Sequence, residues 1–151
     1  MIEVLVTSLV IGVALLGLGA LVASGFRYSH GADLLTQAVN QARDMADRMR
    51  ANLEGVDAGY YAAVDGSETG STNCYAPTEI CTPAQLANAD IYAWNAANDA
   101  LPSGNGTVSC NVIGCPAGSV HTITVSWNDP GASGPEAKSY ILTFTPLSSS
   151  Y

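Results

Sequence analysis

The chain has 151 residues, of which 48% are hydrophobic and only 12% charged, and its formal net charge is −8. That length holds one domain with a modest core. The low charged fraction argues against a cytosolic domain, and the charge balance excludes non-specific binding to a phosphate backbone, which needs clustered Lys and Arg.

The distribution of charge sharpens this exclusion. Arg27, Arg43, Arg48 and Arg50 all precede Ala51. Beyond them Lys138 stands alone against Glu54, Asp57, Asp65, Glu68, Glu79, Asp90, Asp99, Asp129 and Glu136, so the acidity lies in the second part of the chain.

From Met1 to Ala23 the sequence is apolar apart from Glu3, Thr7 and Ser8. A membrane-spanning helix takes roughly 20 mainly apolar residues, and Val4 to Ala23 meets that length. A secretory signal peptide would need a basic start, a shorter apolar run and a small-x-small cleavage site. Here the start is acidic, the run is long, and Gly25-Phe26-Arg27 is a poor cleavage context. A lone acid at the lip of an apolar span is costly in lipid and asks for a partner, which makes Glu3 the foremost candidate site residue. Gly12, Gly17, Gly19 and Gly25 permit close helix approach or local unwinding.

No proline interrupts Met1 to Asn52, so one helix about 75–80 Å long is expected at 1.5 Å per residue. Its second half changes character. Leu35, Ala38, Ala42, Met45 and Met49, with Leu34 and Ala46 beside them, form one apolar stripe. Asp44 and Arg48 are an i,i+4 pair with the acid first. Arg48 and Arg50 suit the C-terminal dipole, and Asn52 and Gly55 offer a stop. The chain thus divides into 1–24, the membrane or filament-core half of the helix; 25–53, its amphipathic half; and 54–151, a globular head.

Glu54 to Cys81 is rich in Gly, Ser, Thr, Asn and acids and reads as a long loop with a turn near Tyr60-Tyr61. Its part from Gly55 to Cys81 is the candidate surface for a partner. Thr82-Pro83-Ala84-Gln85 carries the signature of a capping box with proline at the first helical position. A helix to about Asp99 follows, with Leu86, Ile91 and Trp94 toward the core. Thr107–Val112, Val120–Trp127 and Lys138–Thr145 read as strands, the last two alternating clearly. Asn128 to Glu136, rich in Pro and Gly, reads as a connection. The expected fold class is α+β, with the long helix laid on an antiparallel sheet.

Cys74, Cys81, Cys110 and Cys115 all follow the apolar helix, and in an exported chain they read as disulfides. Three pairings are possible; Cys74–Cys81 and Cys110–Cys115 are favoured because each closes a short loop. Neither pair has C-x₂-C spacing, so a zinc site is not expected. His30 and His121 are isolated and read as surface or strand residues, and Trp94 and Trp127 as core. No nucleophile elbow, phosphate loop or paired carboxylates occur, so neither an enzyme nor a cofactor is expected.

Two segments carry a resemblance. Ile2-Glu3-Val4-Leu5-Val6 resembles the start of a mature type IV pilin or pseudopilin, and Asp44-Met45-Ala46-Asp47-Arg48-Met49-Arg50-Ala51-Asn52 resembles minor pilins of the PilV type. Trp94 and Leu101-Pro102-Ser103-Gly104-Asn105-Gly106 are similar to that type as well. The resemblance implies a pilin fold, a helix spanning the inner membrane with a periplasmic head, and later residence in the pilus at the cell surface. It implies cleavage and methylation by a prepilin peptidase. It also implies partnership with other minor pilins and the major pilin in a complex that primes assembly, and a role for Glu3 in pairing with the terminal amine of an adjacent subunit. The family pattern has a Gly–Phe junction and two further residues ahead of where Met1 stands, so the resemblance assigns the methylated amine to no residue of this sequence. Alternatives are a minor pseudopilin of a type II secretion system and an adhesin or DNA-uptake pilin; the acidic head argues against DNA.

Overall fold

A computed structural model describes residues 2–70, 73–76, 79–131 and 134–147. The elements in chain order are α1 (Ile2–Ala51), α2 (Leu53–Asp57), β1 (Ala63–Val64), α3 (Pro83–Asn98), β2 (Asn105–Cys110), β3 (His121–Gly131) and β4 (Gly134–Phe144). The strands form one antiparallel sheet in the order β1-β2-β3-β4. The second half of α1 lies against this sheet, with α3 beside it. The architecture is the α+β arrangement expected from the sequence.

The buried line of α1 is Leu34, Ala38, Ala42, Met45, Ala46 and Met49. Three alanines in that line let the helix axis come close to the sheet, whose inward residues are Val108, Ile123, Val125 and Trp127. Tyr140, Leu142 and Phe144 of β4 pack on the same core from the edge. Leu35, which the periodicity places in the stripe, is 46% exposed. It points into the same arc as Ala42 and Ala46 at about 100° per residue, but it stands where the head's cover begins, since no described residue before Leu34 is buried.

Three further readings of the sequence are corrected. The stretch from Glu54 to Cys81 is not all loop: α2 and β1 lie at its start, and Val56, Tyr61 and Val64 are core residues. Its residues 71–72 and 77–78 lie outside the described residues. Asn52 does not simply stop α1; its side-chain carbonyl accepts from the Gly55 backbone N–H and so starts α2. Leu86 is only half-buried, and the inward face of α3 is Ala87, Asp90, Ile91, Trp94 and Asn98. The capping box of α3 does form, from Thr82 and Gln85.

The Pro/Gly-rich stretch between the last two strands is itself strand. Asp129 pairs with Glu136, Pro130 with Pro135 and Gly131 with Gly134, so β3 and β4 run out to the hairpin tip. Two prolines are tolerated because β2 reaches no further along β3 than Ser126, which its first residue Asn105 faces. Beyond that point the outer side of β3 is met at Asn128, whose N–H donates to the Pro102 carbonyl at 2.8 Å; past it no strand stands alongside, and a missing N–H costs no ladder bond on the open side.

β2 starts at Asn105, two residues before its expected start, and Gly106 shows why a glycine is needed there. A Cβ at Gly106 would strike the Trp94 ring and the Asn98 side-chain amide. The fully buried Trp94 ring packs close to this bare backbone, while its Nε1–H donates to the Gln41 carbonyl of α1 at 2.8 Å. One side chain thereby joins α1, α3 and β2.

Candidate functional site

The functional surface begins with the half of α1 that the head does not touch. Every described residue from Ile2 to His30 is exposed, and Leu34 is the first buried one. The most apolar 18-residue window has mean hydropathy 2.5 and none of it is buried. By length and composition it suffices to cross a membrane. Its hydroxyls are satisfied within the helix: Thr7 donates to the Val4 carbonyl, Ser8 to Leu5 and Ser24 to Ala20. Such internal bonds suit a segment without water around it. Glu3 lies in the first turn, and among the described residues no side chain or backbone group pairs with it.

Where this half ends, the β3–β4 hairpin comes down beside it. Arg27, Tyr28 and Gly31 on the helix face Asp129, Glu136 and Lys138 on the hairpin across an open cleft of about 420 Å³. A Cβ on Gly31 would stand 3.0 Å from Asp129 Oδ2, so the missing side chain lets the hairpin come near. Lys138 donates to Glu136 at 2.8 Å, which raises the lysine's pKa and lowers the carboxyl's.

The head is held to α1 by a polar network centred on Asp90, which is 4% exposed. Tyr61 donates its hydroxyl to Asp90 Oδ2 at 2.6 Å, and Tyr75 donates to Oδ1 at 2.8 Å. Arg48 donates from Nη1 to Oδ1 at 3.3 Å and to the Tyr75 oxygen at 2.6 Å, and from Nε to Asp44 at 2.8 Å. Asn52 donates to Tyr61 at 3.0 Å and to the Pro83 carbonyl at 2.8 Å. Burial and the Asp90 carboxylate push the Tyr75 phenol up to about 12 and raise Tyr61 further. Burial lowers the Arg48 pKa, but its two carboxylates outweigh this and the net direction is up. The network therefore gathers one buried carboxylate and one guanidinium, each with its hydrogen-bond partners in place.

This arrangement explains the polar residues of the α1 segment Asp44–Asn52. Asp44, Arg48 and Asn52 recur every four residues; Arg48 and Asn52 reach α3 through Asp90 and the Pro83 carbonyl, and Asp44 holds Arg48. Sequence reading found the Asp44–Arg48 pair but missed Asp90, Tyr61 and Tyr75. An acid at the inward phase of α3 was the available signal.

The disulfides join Cys74 to Cys81 and Cys110 to Cys115. The first brackets Tyr75 and so carries the network's outermost phenol. At the second, His121, which looked isolated in sequence, is 1% exposed with Nε2 at 3.1 Å from Cys115 Sγ. His30 is exposed on α1.

The model of a family described as Tt1218-like, Type IV pilin Tt1218, matches residues 29–92. No curated protein and no solved structure matches the chain. The matched span holds the packed half of α1 and every member of the Asp90 network. Pilins in general are structural, not catalytic, and the exposed apolar helix fits a membrane-anchored pilus component. The long helix, half bare and half laid on a four-stranded antiparallel sheet with two disulfides, is consistent with a type IV pilin-like α+β fold, and the span 29–92 is similar to the type IV pilin family whose model it matches.

Proposed function

We propose that this chain is a minor pilin of the PilV type, which helps prime type IV pilus assembly and then sits in the pilus or its tip complex with other minor pilins. The observation that carries the reading is the single helix α1, gripped by the head from Leu34 onward and bare from Ile2 to His30. Residues 1–24 are stored in the inner membrane and later join the filament core. Residues 25–53 bridge to the head, and 54–151 form the head on the periplasmic side.

Glu3 is the assembly residue in this reading. In a bundle of such helices its carboxylate meets the terminal ammonium of an adjacent subunit. A pair about 4 Å apart gains about 4 kcal/mol at an effective dielectric constant near 20. That gain offsets part of the cost of removing both charges from water and is absent for a subunit seated out of register.

The test is Glu3→Ala in the full-length protein, expressed in cells that lack the wild-type copy. We expect the variant in the membrane at normal level with a folded head, but absent from sheared pili, with fewer pili per cell. Normal incorporation would overturn the role of Glu3. Normal piliation and impaired protein secretion on deleting the gene would move the chain to a type II secretion pseudopilin.

A further inference from the structure

The Cys110–Cys115 loop differs from the other disulfide loop in having a histidine at its sulfur. Four residues separate the cysteines and His121 follows six positions later; the pair is not C-x₂-C, which spoke against zinc in the sequence, but it lies within the wider C-x₂₋₄-C range of structural metal sites. Chain reversal between β2 and β3 does the rest: Cys110 and His121 are directly opposed in the register. One ligand atom from each of Cys110, Cys115 and His121 lies within 4.8 Å of the other two.

The orientation of the imidazole is the second observation. His121 Nδ1 is 3.3 Å from the Ser119 carbonyl oxygen. A carbonyl only accepts, so Nδ1 carries the proton. In the neutral ring Nε2 then presents a lone pair, and it points at Cys115 Sγ. Sulfur in a disulfide has no proton to offer. A ring nitrogen buried to 1% exposure is thus aimed at the sulfur with no hydrogen donor. Burial favours the neutral ring. A ring N–H on a backbone carbonyl with the other nitrogen free is the tautomer and support found behind metal-bound histidines.

We propose that the dithiol form of the head binds a metal ion: the thiolates of Cys110 and Cys115 and Nε2 of His121 form a three-ligand site for a borderline divalent cation of the zinc class, with a fourth position open to water. Every copy of the chain passes through this form, because cysteines are made as thiols. Binding releases two protons as two thiols become thiolates on the cation. Closing the disulfide removes two electrons, accepted by an oxidant of the protein-disulfide class, and expels the cation. Metal and disulfide are alternative braces of one loop: the disulfide ties the end of β2 to the loop at Cys115, and the metal ties both to the start of β3 through His121. Cys74–Cys81 has no histidine at its sulfurs and serves as an internal comparison.

The experiment uses the full chain in detergent micelles, opened without oxygen by a trialkylphosphine. That reagent takes the disulfide and one water to two thiols and the phosphine oxide. Cobalt(II) is then titrated while near-ultraviolet absorption and circular dichroism are recorded. We expect one cobalt per chain with thiolate-to-metal charge-transfer absorption, displaced by Zn²⁺. Cys110→Ser/Cys115→Ser should abolish it, and His121→Gln should weaken affinity at least about tenfold, since even groups that only orient a metal ligand are worth that much. If opening the disulfides loosens the head, Zn²⁺ should restore its aromatic dichroism. The proposal is overturned by the absence of the band, by its survival in Cys110→Ser/Cys115→Ser, by unchanged affinity in His121→Gln, or by a loosened head that Zn²⁺ does not restore.

Discussion

Replacing Asp90 by alanine tests the claim that one buried carboxylate holds the head to the long helix. Asp90 accepts from Tyr61, Tyr75 and Arg48, and Tyr61 is wholly buried. A hydrogen bond to a charged group is worth about 1.5–3 kcal/mol net. The three share one acceptor and are not additive. Removing one member of a buried pair costs about 3–5 kcal/mol, because the partner stays uncompensated. The Arg48 side chain is 26% exposed and keeps Asp44, so part of its charge turns to water. The Tyr61 hydroxyl has no such escape. We therefore expect Asp90→Ala to cost about 3–5 kcal/mol, a large share of the roughly 5–15 kcal/mol that stabilises a domain. Asp44→Ala, at a half-buried i,i+4 pair whose Arg48 keeps Asp90, should cost at most about 1 kcal/mol. The assay is urea unfolding of the full chain in micelles, followed by tryptophan fluorescence. Both tryptophans, Trp94 and Trp127, lie in the head core, so the bare helix contributes no signal. A double-mutant cycle with Tyr61→Phe should show coupling of at least about 1 kcal/mol. If Asp90→Ala falls within about 1 kcal/mol of the wild type, the carboxylate is not the hub and the reasoning fails.

Gly106→Ala places a methyl group into the Trp94 ring and should destabilise the head by about 1–3 kcal/mol with a shifted tryptophan emission; an unchanged urea midpoint and spectrum would show that Trp94 is not seated on that backbone. The buried His121 ring has a pKa below 6.5, from burial, partly offset by the Ser119 carbonyl. Below about pH 6.5 the unfolded imidazole takes up a proton that the folded one refuses, so stability falls with pH at up to about 1.4 kcal/mol per unit until the folded ring protonates. His121→Gln should flatten this acid limb of the urea midpoint against pH, and a wild type with no slope would refute the assignment. Above pH 10 the sign reverses: an unfolded Tyr75 ionises near 10.0 and the folded one near 12, so stability falls across that window, and less steeply in Tyr75→Phe.

What was legible in the sequence was local. The long helix follows from an uninterrupted run with no proline, the start of α3 from Thr82-Pro83-Ala84-Gln85, and the core faces of β3 and β4 from period-two alternation. Each is written within a few residues, where backbone geometry acts directly. A lone Glu3 in an apolar run is local in the same way, though its partner would belong to another subunit. Tertiary structure alone decided which residues of the α1 stripe are covered, because Leu34 and Leu35 are equally apolar and only the neighbouring elements choose between them. It also decided that Pro130 and Pro135 sit in strands, since their cost depends on whether a third strand stands alongside. Asp90 and His121 were invisible for a related reason: Arg48 is 42 residues from its carboxylate, and the imidazole meets its sulfur only because β2 and β3 run back to back. Side-chain chemistry set by long-range proximity is not encoded in any window of the chain, whereas helix and strand periodicity is.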